Sequence, residues 1–84
     1  MTEPLLFDVR RILADVLKRS VEEVPVDATR DGLDGWDSMA HLNLVLALEQ
    51  HFDVQFSPEE MMEILSVELM AMLVDEKRAA KGAG

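Results

Sequence analysis

An 84-residue chain with 49% apolar side chains, a net charge of −9 and no cysteine allows one small domain and excludes disulfides, thiolate zinc sites and cysteine nucleophiles. Apolar runs such as Leu44 to Leu48 and Leu69 to Val74 are far short of the roughly 20 residues that span a bilayer. Met1-Thr2-Glu3-Pro4 lacks the basic start of a signal peptide, so a cytoplasmic monomer with no membrane span is expected.

The charge is −1 over residues 1–26, −11 over 27–76 with a single base, and +3 over 77–84. Nucleic acid is an unsuitable partner for such a chain, because neutralising phosphates takes Lys and Arg. A partner with a basic surface would be steered to the middle of it, although a solvated acidic surface also serves solubility alone.

The spacing of Leu5, Val9, Ile12, Leu13, Val16 and Leu17 predicts a first helix from about Glu3 to Lys18. Pro4 is tolerated in its first turn, and acids early with bases late suit the helix dipole. Residues 20–36 read as a long connection with Pro25, Gly32 and Gly35, which Val21, Val24, Val26, Leu33 and Trp36 can pin to a core. A loop of this length in a small domain is often functional.

Asp37 is a natural N-cap for a second helix from Ser38 to about His51. Ser57-Pro58-Glu59-Glu60 is a capping box with Pro at the first position, opening a short third helix to about Leu65. Ser66 caps a fourth, reaching about Lys77 with Val67, Met70, Ala71 and Val74 inward, and Ala79 to Gly84 read as a frayed tail. The expected fold is all-α: a small four-helix bundle with a long loop between helices 1 and 2, the domain at 1–77 and a flexible tail at 78–84.

The second helix carries two apolar stripes. With about 100° per residue and Ser38 at zero, Leu44, Val45, Leu48 and Phe52 fall between roughly 240° and 340°, and Met39, Leu42 and Leu46 between roughly 40° and 100°. A surface helix needs only one apolar face. Either this helix is buried all round, or the stripe beside Ser38 stays exposed and docks partners.

Ser38 is the serine whose placement leaves chemistry to explain, since Ser57 and Ser66 look like caps and Ser20 follows the first helix. A helix start offers unpaired N–H groups that suit a phosphate ester. Hydrolytic chemistry is poorly supported: there is no G-x-S-x-G elbow, and His41 at i+3 has no orienting acid or oxyanion motif with it. No catalytic residue is assigned. Asp27-x-Thr29-x-Asp31-Gly32 partly overlays a calcium-binding EF-hand loop, but Ser38 stands where its bidentate Glu belongs, so no metal site is assigned.

Gly35-Trp36-Asp37-Ser38-Met39-Ala40-His41-Leu42, continuing to Phe52, resembles the acyl carrier protein family, whose motif is Asp-Ser-Leu at the start of the second helix. Met39 replaces the Leu, a nearly volume-conserving exchange. Length, acidity and helix order extend the resemblance over almost the whole domain.

The resemblance implies that Ser38 carries 4′-phosphopantetheine, added from coenzyme A by a phosphopantetheinyl transferase, and that the arm's thiol holds acyl groups as thioesters. It implies a non-catalytic carrier that acyl-loading and acyl-transferring enzymes with basic docking surfaces use in turn. Asp37, Met39, Leu42, Leu46 and Glu49 match its recognition positions, and Leu44, Val45, Leu48, Phe52, Ile64 and Val67 would wall any acyl shelter.

Glu49 is the only acid between Ser38 and His51, which departs from fatty-acid-synthase carriers. Trp36 before Asp-Ser looks more like specialised polyketide or aminoacyl/peptidyl carriers, either as a loop anchor or as a contact beside the arm and its partners. An aminoacyl or peptidyl carrier is the alternative cargo class, and an acidic helical adaptor or calcium sensor the alternative protein class.

Overall fold

A computed structural model describes residues 3–83, with side chains described for 5–80; the expectations for Met1, Thr2 and Gly84 and for the side chain of Pro4 lie outside the described residues. Four α-helices follow in order: α1 Glu3–Leu17, α2 Ser38–Phe52, α3 Pro58–Glu63 and α4 Val67–Ala83. The all-α bundle is as expected.

Its core is the inward stripes of three helices. Leu5, Val9, Ile12 and Leu13 of α1 meet Leu44, Val45 and Leu48 of α2 and Val67, Met70, Ala71 and Val74 of α4. Ile64, after α3, closes one side.

Each helix starts and stops where its local chemistry dictates. Asp37 Oδ1 accepts the Ala40 N–H at 2.9 Å, capping α2. Ser57 Oγ accepts the Glu60 N–H at 3.2 Å while Glu60 Oε1 accepts the Ser57 N–H at 2.8 Å, the reciprocal pair of a capping box. Ser66 Oγ accepts the Leu69 N–H at 3.1 Å, capping α4. Lys18 and Asp53 take left-handed backbone, at φ 59° and 55°, and end α1 and α2. The last turn of α1 holds no base; Lys18 and Arg19 lie just past it.

The long loop is tied down by Arg10 of α1, by Arg19 just past that helix, and by its own turns. Arg10 donates from Nε to the Val24 carbonyl at 2.6 Å and from Nη2 to the Val21 carbonyl at 3.1 Å. Arg19 Nη2 donates to the Asp34 carbonyl at 2.8 Å. A one-turn 3-10 helix covers Val21–Glu23. Val24 and Trp36 are buried, but Val26, expected to pin the loop, faces solvent. An isolated antiparallel bridge pairs Thr29 with Ser66, flanked by hydrogen bonds from the Arg30 N–H to the Leu65 carbonyl (2.9 Å) and from the Val67 N–H to the Ala28 carbonyl (3.0 Å). Gly35, at φ +91°, makes the turn that sends Trp36 inward, a conformation that strains any residue with a Cβ.

Two boundaries differ from the sequence reading. α3 stops at Glu63, two residues early, because the chain must turn for Ile64 to enter the core. α4 runs on to Ala83 instead of ending near Lys77. Ala79, Ala80 and Lys81 are strong helix formers, and Lys77 and Arg78 lie over the rings of Phe56 and Phe52, 5.7 and 5.5 Å from their centroids.

Lys77 also pairs with Glu60 at 2.6 Å, and this contact holds the Glu60 carboxyl below its ordinary range, helped by the Ser57 N–H. A depressed carboxyl stabilises the fold above its unfolded pKa and loses that contribution as pH falls through the folded value. The gap in melting temperature between the parent and Glu60→Gln is therefore expected to be fully open at neutral pH and to close on acidification below the ordinary glutamate range. A pH series of thermal melts measures it.

Candidate functional site

Ser38 is the first residue of α2, and its side chain is exposed. Asp37 already provides the cap, so the hydroxyl has no part in starting the helix. Its hydrogen bond is a long one, from Arg30 Nη2 at 3.4 Å. The other three serines are occupied: Ser57 and Ser66 as caps, and Ser20 through two bonds to the Glu23 carboxylate at 3.0 and 3.2 Å.

The floor of the site is a buried polar chain. Trp36 is 3% and His41 7% exposed. Trp36 Nε1–H donates to His41 Nδ1 at 2.9 Å, and His41 Nε2 lies 2.7 Å from the Met61 carbonyl oxygen. With Nδ1 accepting, Nε2 carries the proton and donates to that carbonyl. The chain links the loop to the start of α2 and to α3, and fixes where Asp37 and Ser38 stand.

This corrects the placing of Trp36 among partner-contacting residues: its ring is inside, and it is the loop anchor. His41 is a bridge in the core, with both ring nitrogens engaged.

The second stripe of α2 is exposed: Met39 by 70%, Leu42 by 48% and Leu46 by 49%. Met62 and Leu65 are exposed as well. They flank backbone already tied to this corner, through the Met61 carbonyl to His41 and the Leu65 carbonyl to Arg30. The sequence reading passed over both, although Met61-Met62 is more apolar surface than a six-residue helix needs.

Glu49 was expected as an acidic contact. It lies 11 positions along α2 from Ser38, a rise of roughly 16 Å, and its Oε2 accepts the Phe56 N–H at 2.9 Å. Its carboxylate thus holds the segment after α2. The proposed walls of an acyl shelter, Leu44, Val45, Leu48, Ile64 and Val67, are close-packed and buried, with Phe52 part-buried against them. Among the described residues no group of three or more His, Asp or Glu could hold a metal ion, and no helix is long and apolar enough to cross a membrane.

Arg30 was missed. Its signal was present in the charge count, as the single base between residues 27 and 76.

Fold and site together describe a small helical domain that holds one serine hydroxyl out beside an exposed apolar stripe. The phosphopantetheine attachment site family matches residues 8–74. The acyl carrier protein of Petrotoga mobilis is 38% identical over 79 residues, 92% of each chain. Acyl carrier protein 3 of Ralstonia nicotianae is 26% identical over 84 residues, covering 99% of this chain and 97% of that one. The solution structure of holo acyl carrier protein from Geobacter metallireducens superposes with a TM-score of 0.78 at 31% identity, over 93% of this chain and 90% of that one.

The chain belongs to the acyl carrier protein family, whose prosthetic group is 4′-phosphopantetheine. The site suits an anionic ester on a serine: an exposed oxygen with no structural duty, at a helix N-terminus, with a guanidinium beside it.

Proposed function

We propose that Ser38 is the residue that bears the 4′-phosphopantetheine arm, and that the chain is a non-catalytic carrier presented to successive biosynthetic enzymes. The observation that carries this is the Ser38 hydroxyl, exposed at the first residue of α2 while Asp37 does the capping. Loading forms the Ser38 Oγ–phosphorus bond as the pyrophosphate P–O bond of coenzyme A breaks; adenosine 3′,5′-bisphosphate leaves with the electron pair, and the hydroxyl proton is released. Bound, the arm supplies a terminal thiol that holds an acyl group as a thioester. Everything else is done by this chain's own residues: α2 and the anchored loop orient the hydroxyl, and the surface around it is what partners recognise.

Asp37, Met39, Leu42 and Leu46 form the docking face in this reading, with the acidic loop steering basic partners. Glu49 contributes to it through its position at the end of α2. Each docking event must be weak enough to release, which suits a small charge-steered patch. The carrier unit is residues 1–77, with 78–83 lengthening α4. The cargo is acyl, and a cytoplasmic monomer fits this role.

Loading is tested by incubating the apo chain with coenzyme A and a broad-specificity transferase, then mapping the adduct by peptide fragmentation. One phosphopantetheine on Ser38 is expected; an adduct on another residue, or none while a control carrier is modified, contradicts the proposal. Charging the loaded chain with acyl ligases against amino-acid-activating enzymes separates acyl from aminoacyl cargo.

The docking face makes its own prediction. Met39→Asp and Leu42→Asp change exposed side chains, so stability should move by no more than about 0.5 kcal/mol. Removing a contact of hot-spot strength, at least about 2 kcal/mol, would lower kcat/KM for loading by about 30-fold or more. Unchanged loading kinetics in both variants would take the stripe out of the transferase interface.

A further inference from the structure

Arg30 stands alone as a cation. It is the single base in residues 27–76, among twelve acids. Asp31, Asp34 and Asp37 are its close neighbours in sequence, yet it forms an ion pair with none of them. Its guanidinium reaches eight residues along the chain to the Ser38 hydroxyl, at 3.4 Å.

The backbone beneath it is fixed. The Arg30 N–H donates to the Leu65 carbonyl at 2.9 Å, next to the Thr29–Ser66 bridge. The loop therefore delivers a positive charge to this one oxygen from a braced position, while every other formal charge nearby in sequence is negative.

We propose that Arg30 is the counter-ion of the phosphodiester formed on Ser38, pinning the root of the arm against the loop while the remainder stays free to swing. The inference rests on the reading that Ser38 carries the arm. A phosphodiester adds a negative charge directly beside Asp37, within the most acidic part of the chain, and like charges there repel. A guanidinium presents N–H donors in a fork that matches two phosphate oxygens. Arg30 thus offsets the repulsion that loading would otherwise add, and it limits the directions in which the arm leaves the surface. It is a positioning residue and takes no part in the chemistry at the thiol.

The test is a cycle of thermal melts on the full chain, apo and loaded, for the parent, Arg30→Gln and Arg30→Lys, with loading at Ser38 established by fragmentation. At low ionic strength, loading is expected to lower the melting temperature of Arg30→Gln by about 1–6 °C more than it lowers that of the parent, the scale of an exposed ion pair in a domain this small. Arg30→Lys should recover part of the difference. In 1 M salt, where charges are screened beyond about 3 Å, the difference should vanish.

The Arg30 Nε–Hε resonance of the unmutated chain should also move on loading, a readout that survives even if apo Arg30→Gln does not fold. Equal responses of parent and Arg30→Gln to loading, or an Arg30 resonance that stays in place, overturn the role of Arg30 alone. Failure of the parent to be loaded at Ser38 overturns that role and the attachment site together.

Discussion

Ser38→Ala is expected to take up no phosphopantetheine at all, from any transferase, while its apo form melts within about 4 °C of the parent. The reason is the division of labour at the start of α2. Asp37 Oδ1 holds the Ala40 N–H, and the Ser38 hydroxyl is left with a single 3.4 Å contact at the surface. Removing it leaves no buried partner unsatisfied and opens no cavity.

Ser57→Ala is the contrasting control. It deletes a working cap, at a cost of about 0.5–2 kcal/mol, and should load as the parent does once folded. Intact mass follows loading, and circular dichroism follows the melts. An alanine chain that still gains the arm contradicts the site. An alanine chain that keeps its cellular function would favour an adaptor role over a carrier role.

Trp36→Ala is expected to be the most damaging single change to the fold, at about 3–5 kcal/mol. An 84-residue domain has a total stability of roughly 0.05–0.15 kcal/mol per residue, about 4–13 kcal/mol, so this loss removes from about a quarter to all of it. Two effects add: the cavity left by the indole, and the loss of the N–H that His41 Nδ1 accepts.

Trp36→Phe separates them. It keeps most of the ring but orphans the Nδ1 acceptor, which should cost about 1–3 kcal/mol. Because Trp36 lies directly before Asp37 and Ser38, loading by the transferase should survive in Trp36→Phe below its melting point. A Trp36→Phe domain as stable as the parent would show that the bond to His41 contributes nothing. A stable domain that no transferase can modify would return Trp36 to the docking surface. Urea unfolding of both variants, and of His41→Ala combined with each, measures the coupling along the Trp36–His41–Met61 chain.

What could be read from the chain alone was its local chemistry. The cap at Asp37, the Ser57/Glu60 capping box and the cap at Ser66 each depend on residues within three positions of one another. The exposed stripe of Met39, Leu42 and Leu46 followed from helical periodicity once Leu44, Val45 and Leu48 had claimed the core.

The pairings across the fold were not legible. His41 meets the Met61 carbonyl 20 residues away, and no pattern around position 41 announces a backbone acceptor on another helix. Glu49 looked like a surface acid because its partner, the Phe56 N–H, comes within reach only after the chain reverses at Asp53. Val26 is apolar and was counted as a pin, but Arg10 fixes the loop by its carbonyls at Val21 and Val24 and leaves Val26 outside. The stretch from Ala79 onward reads as a frayed tail, whereas its alanines extend α4 to Ala83.

The central claim is tested most directly by the mass of the intact chain purified from a host with an active phosphopantetheinyl transferase, with fragmentation to place any adduct. The expected result is a population heavier by one phosphopantetheine, with the added mass confined to the fragment ions that contain Ser38. Protein that is correctly folded yet uniformly unmodified, or modified at Ser20, Ser57 or Ser66 instead, would contradict it.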